Sequence, residues 1–303
     1  MTTDVRYSVY VLISAVTASV GLVLSEIALN FFSITTLQIT VLANIVGGIF
    51  LIIPTLKSRE RPWQNWPISD WLRFAISAVT IYAVGFVLLY TAIDYVGSSK
   101  TTMLGRVEAI FVVVLAVLFL GERWSVRHWI ATFLALLGAM LISFDPLVFQ
   151  IEFGWGEILT LLAAFVVSAG IVILKPLVVR RDAQFVTGLG LLMGAVCISP
   201  FLDLQNFFSA EIFLVTSSFL LPALIVRGVL LGISWATYNA AMRHIGASRC
   251  AVLFLSVSFF TVFFQVVLDA IMPNLGLQVP NNLLFAVAGG LIIVLAVALI
   301  QRA

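Results

Sequence analysis

The sequence predicts an all-α integral membrane protein of ten transmembrane helices, arranged as two inverted five-helix repeats. Three observations lead there. Of 303 residues, 62% are hydrophobic and 10% charged, where a soluble domain carries about 25% charged, and the mean hydropathy is +1.17. Ten apolar runs, each near the roughly 20 residues that cross the hydrocarbon of a bilayer, follow one another with short breaks. One ungapped shift of 149 residues carries Tyr95-Val96-Gly97-Ser98-Ser99-Lys100 onto His244-Ile245-Gly246-Ala247-Ser248-Arg249, Ser19-Val20-Gly21 onto Ser168-Ala169-Gly170, Glu26 onto Lys175 and Phe86 onto Trp235. Internal repetition governs the whole architecture.

The runs fall near 7–29, 36–56, 71–93, 99–120, 127–144, 155–178, 184–201, 219–242, 249–270 and 281–300. The first is longer than a signal-peptide core and lacks a small-x-small cleavage site, so it is expected to stay as a helix. Lys57 to Asp70, with Pro62 and Pro67, separates the second and third. Trp63, Trp66 and Trp71 beside this basic break are expected at headgroup level. The turn Gly97-Ser98-Ser99 opens the fourth run, and Asp145-Pro146, Arg180-Arg181-Asp182 and Pro273-Asn274 mark later breaks. Small residues at 190/194, 228/232 and 131/135/139 fit close helix contacts, as do Gly289 and Gly290. Cys197 and Cys250 lie in apolar runs without ligand spacing and read as buried thiols. A net charge of +2 with no basic, aromatic-interleaved stretch argues against a nucleic-acid partner.

Lys and Arg concentrate in alternate breaks: Arg6; Lys57, Arg59, Arg61 and Arg73; Arg123 and Arg127; Arg180 and Arg181; Arg243 and Arg249; Arg302. The opposite set holds only Lys100. By the positive-inside rule both termini are cytoplasmic, in a plasma (inner) membrane. Five helices per repeat is odd, so the second repeat, 149–303, enters from the side opposite to the first, 1–148. Inverted repeats with a midplane site between them are a secondary-transporter design, and transport becomes the leading function.

The segment Leu120-Gly121-Glu122-Arg123-Trp124-Ser125, followed by HWIATFLALLGAMLIS from His128, resembles the drug/metabolite transporter superfamily, specifically its EamA-type ten-helix carriers. Their fourth helix typically closes on Gly-Glu-Arg and their fifth carries a late glycine, here Gly138. The resemblance implies export or exchange of small metabolites, commonly amino acids or their relatives, without a bound cofactor. Two features depart from the pattern. The family often has a proline in the middle of helices 4 and 9, where this chain has Glu108-Ala109 and Val257-Ser258; and the second repeat has Leu268-Asp269-Ala270-Ile271 in place of Gly-Glu-Arg. Glu122 and Arg123, at a helix end, read as a structural fastening.

Charges within apolar helices mark pathways or interhelical pairs. Arg106, Glu108 and Arg227 fall at similar depths, roughly 10–14 Å from the ends of their helices at about 1.5 Å per residue, and Glu26 lies a little beyond them. Residues two apart project from different sides of a helix, so Arg106 and Glu108 are expected to pair elsewhere, Glu108 with Arg227 and Arg106 with Glu26. Two readings remain open. These charges either line a cavity and hold the ends of a zwitterionic solute, with a carboxylate that takes up a proton as coupling ion, or they are salt bridges that fix the bundle. Tyr82, Phe86 and Tyr90 share one face of the third helix, and Arg227, Ser234 and Tyr238 one face of the eighth; their polar ends need partners away from lipid. Asn44 and Asn239 are further inward-facing candidates, Gln265 a weaker one. Lys175, near a helix end, is expected to extend to the interface.

The partners implied are a small-molecule substrate and the lipid bilayer. A nucleotide-sugar or organophosphate exchanger is the alternative, but phosphates want several converging cations, whereas here two deep arginines face two deep glutamates. A non-transporting membrane scaffold is a third possibility. An enzyme is not expected, since His128 and His244 stand in separate breaks without metal-protease spacing, and no metal site is expected either.

Overall fold

The computed structural model describes residues 3–32, 34–56, 62–96, 98–142, 154–202, 221–277, 279 and 283–301. α1 (Thr3–Phe31) and α2 (Thr36–Leu56) are continuous. α3 joins Ile68–Val79, a π-helical turn at Thr80–Val84, and Gly85–Val96. α4 is in two halves, α4a (Ser98–Gly105) and α4b (Glu108–Leu120). α5 (Val126–Ile142), α6 (Trp155–Arg180), α7 (Ala183–Ile198, with a 3₁₀ turn Ser199–Phe201) and α8 (Leu221–Ile245) follow. α9 is again halved, α9a (Ala247–Phe254) and α9b (Val257–Ile271), before α10 (Leu283–Gln301). Eight spans among the described residues are long and apolar enough to cross a membrane, and the shorter apolar helices Val126–Ile142 and Leu284–Ile300 complete a ten-helix membrane bundle.

The two interrupted helices occupy matching places. The shift of 149 residues carries Ser98–Gly105 onto Ala247–Phe254 and Glu108 onto Val257. At both interruptions the backbone tightens to i→i−3 bonds: Arg106 and Val107 N–H to the carbonyls of Met103 (3.3 Å) and Leu104 (3.1 Å), Leu255 and Ser256 N–H to those of Val252 and Leu253 (both 3.2 Å). No proline causes this. At the second break the Ser256 hydroxyl competes for the Leu253 carbonyl at 2.8 Å, a back-bond that bends helices. The start of each second half is tied to a neighbour in the same way. Ser168 of α6 lies 3.1 Å from the Glu108 carbonyl, and Ser19 of α1 lies 2.9 Å from the Val257 carbonyl. The shift of 149 relates these serines as well.

Glycine lets the helices approach. A Cβ on Gly47 would stand 2.6 Å from the Gly228 carbonyl, and one on Gly138 2.6 Å from that of Gly289. Gly190 and Gly194 of α7 face Tyr82, while Ala131, Ala135 and Ala139 are fully buried. α1 and α8 run antiparallel, locked by reciprocal bonds from Ser14 Oγ to the Ser234 carbonyl (2.8 Å) and from Ser234 Oγ to the Ser14 carbonyl (3.0 Å). Trp66 sits in a packed aromatic corner. It is 8% exposed, packs against Trp71, Phe74 and Phe185, and donates its indole N–H to the Pro62 carbonyl at 2.7 Å. The half-buried Arg181 pairs with the buried Asp70 (2.9 Å) beside it, its guanidinium 5.6 Å over the Trp66 ring, and so ties that corner together.

Candidate functional site

The interruption of α4 places Gly105, Arg106 and Glu108 on the wall of a cavity that holds about 520 Å³ of empty space including its mouth. α1 contributes Ser14, α6 Ile171, α8 Ser234, Trp235 and Tyr238, and α9 Ala251, Phe254 and Leu255. On a regular helix Arg106 and Glu108 would face different ways. Here the backbone at 106–107 tightens to i→i−3 bonds, and both residues line the same space. Arg106 Nε is buried without a hydrogen-bond partner, and among the described residues no side chain hydrogen-bonds or ion-pairs with the Glu108 carboxylate.

The expected cross-helix pairs are not formed. Arg227 lies on α8 about two turns from Ser234, roughly 10 Å away at about 1.5 Å per residue. Its Nε donates to Ser25 Oγ at 2.8 Å, and its guanidinium rests on Gly21, where a Cβ would meet it at 3.0 Å. Glu26 accepts from Gln265 Nε2 at 2.7 Å. The four charges therefore divide, Arg106 and Glu108 at the cavity, Glu26 and Arg227 beyond it toward the other ends of their helices.

Ser234 and Tyr238 line the cavity as the face of α8 predicts, though the Ser234 hydroxyl is engaged with α1. A run of edge-to-face rings extends from Tyr82 to Trp235 (5.2 Å), Trp235 to Tyr238 (5.9 Å) and Tyr238 to Phe254 (5.5 Å). Tyr82 stands behind Trp235, 2% exposed, and is not itself in the cavity wall. Asn239 turns away to donate to Thr187 Oγ1 at 2.8 Å, and Asn44 is fully buried in α2, outside the wall. The side chain of Tyr90 lies outside the described residues. Sequence reasoning missed Ser14 and the α9 residues. An isolated serine or an Ala, Phe or Leu within an apolar run carries no signal of its own, although the shift of 149 marks Trp235 as the counterpart of Phe86.

One turn beyond Ile171 and Ala251, a second carboxylate closes the bundle. Glu122 accepts from Lys175 Nζ and from the backbone N–H groups of Ala247 (2.8 Å) and Ser248 (3.1 Å), and so caps α9a. Gly246 allows it, with φ +90° and room beside the carboxylate where a Cβ would come within 3.0 Å. Burial pushes the Glu122 carboxyl up, but the hydrogen bonds from Lys175, Ser248 and Ala247 outweigh it and hold the group below its ordinary value. Glu122 is thus a fastening, as its position suggested. Lys175, near the end of α6, directs its ammonium group to this carboxylate.

The EamA-like transporter family matches over residues 6–144, the stretch that includes the interrupted α4 and the Gly-Glu-Arg end. An uncharacterized transporter from Synechocystis sp. is 27% identical over 103 residues, 32% of this chain and 30% of its own length. Another, from Methanothermobacter thermautotrophicus, is 23% identical over 243 residues, 74% of this chain and 68% of its own. The match thus spans under a third of the first relative and about two thirds of the second. A protein known from a crystal structure shares the fold, with a TM-score of 0.77 over 98% of this chain and 96% of its own at 15% identity.

Proposed function

We propose that the protein is a secondary transporter of small polar metabolites, amino acids foremost, acting as exporter or exchanger by alternating access between two inverted five-helix repeats, 1–148 and 149–303. The observation that carries this reading is the pair Arg106 and Glu108 on one cavity wall, each lacking a protein salt-bridge partner among the described residues. A charge away from water is costly unless something completes it, and a solute with both signs does so. A guanidinium suits a carboxylate, and a carboxylate suits an ammonium group or takes up a proton as coupling ion. A phosphate ester would meet one arginine offset by one glutamate, which disfavours that class. The paired helix interruptions and the Ser19 and Ser168 contacts support two related halves able to exchange roles, with broken helices at the site as in other transporters. The Lys and Arg distribution supports a plasma (inner) membrane location with both termini cytoplasmic.

Proteoliposome counterflow tests this. Neutral L-amino acids should exchange, and Arg106→Gln and Glu108→Gln should each lose that flux at nearly unchanged melting temperature. Exchange of phosphate esters with no amino-acid flux, or no flux of any solute, would overturn the reading.

A further inference from the structure

We infer that Ser168 is a positioning residue for Glu108, fixing where the carboxylate stands relative to Arg106 and so the discrimination for a solute bearing an ammonium group. The inference rests on the transport reading above. Glu108 is the first residue of α4b, and the turn before it interrupts the regular backbone ladder. Across the turn, Ala109 and Ile110 reach back only by i→i−3 bonds to Arg106 (3.2 Å) and Val107 (2.9 Å). The direction of α4b past the break is therefore set partly from outside the helix. Ser168, fully buried on α6, shares its hydroxyl between its own Ala164 carbonyl (2.7 Å) and the Glu108 carbonyl (3.1 Å). It grips the backbone of the residue whose side chain reaches the cavity.

The chain supplies its own control. Ser19, equally buried, makes the same pair of contacts, to Ala15 (2.7 Å) and Val257 (2.9 Å). The residue it holds carries no ionisable group. Loss of either hydroxyl removes one interhelical contact of the same kind, but only one of the two displaces a carboxylate.

The test compares Ser168→Ala with Ser19→Ala in proteoliposomes, reading the KM of a neutral L-amino acid against the inhibition constant of its des-amino acid, for instance L-leucine against 4-methylpentanoate. Both variants should shift the melting temperature alike. Ser168→Ala should erode the preference for the amino acid by about threefold, the scale of one interhelical hydrogen bond, with kcat little changed, and Ser19→Ala should leave the preference intact. If Ser168→Ala does not fold, Ser168→Cys keeps a weaker donor in the same volume and should shift the ratio in the same direction. Equal ratios in the two variants, with normal wild-type amino-acid flux, would overturn the positioning role alone. Absence of amino-acid flux in the wild type would overturn the transport reading on which it depends.

Discussion

The carboxylate of Glu122, just past the end of α4b, receives hydrogens from one lysine and two backbone amides, while that of Glu108, at the start of α4b, receives none from the described side chains. The first arrangement ties stability to pH. A carboxyl held below its ordinary 4.5 in the folded state contributes stability that is complete above that value and is lost as pH falls through the folded value. Glu122→Gln should therefore lower the melting temperature at neutral pH, by a loss of about 1–3 kcal/mol from leaving Lys175 without its charge partner, and the gap from wild type should shrink as the pH is lowered below 4.5. A gap that stays constant down to strong acid would exclude the clasp as the cause. Arg106 and Glu108 were legible in the sequence because a charge is costly within an apolar run, and packing alone does not place one there. Their partners were not. Pairing depends on side-chain reach across helices, and the tightened turn at 106–107 is not announced by any residue of the sequence. Polarity alone also failed to separate Ser234 and Tyr238, which line the cavity, from Asn44, Tyr82 and Asn239, which are buried elsewhere.

The ten helices themselves were readable, since hydrocarbon thickness sets their length and turn residues set their ends. The interruptions of α4 and α9 escaped notice because no proline announces them; what breaks the ladder is a local exchange of i−4 for i−3 partners, within reach of many sequences. Contact glycines give a sharper test at this scale. A Cβ on Gly194 would lie 2.4 Å from the Tyr82 Cβ and 2.8 Å from its backbone oxygen, so Gly194→Ala should destabilise by about 1–3 kcal/mol through overpacking. Gly105→Ala meets nothing within 4 Å and should melt no lower than wild type. Melting curves in one detergent check both, and equal losses would contradict the packing described for α3 and α7.

Across the whole molecule, orientation is the most direct consequence of the charge pattern. With Cys197 and Cys250 replaced by serine, Gln64→Cys and Asn274→Cys, both at exposed positions, should differ toward a membrane-impermeant thiol reagent on intact cells. Asn274→Cys should label and Gln64→Cys should label only after lysis; equal labelling would remove the basis for inverted halves. The cavity walls also have an order of manufacture. Glu108 leaves the ribosome 130 residues ahead of Tyr238, a lead of roughly 6–26 s at about 5–20 residues per second. For that interval the arginine and glutamate of α4 exist without the helices that later enclose them, and the insertion machinery must hold an unfinished, charged half-helix beside water or protein until α6, α8 and α9 emerge to build the remaining walls around it.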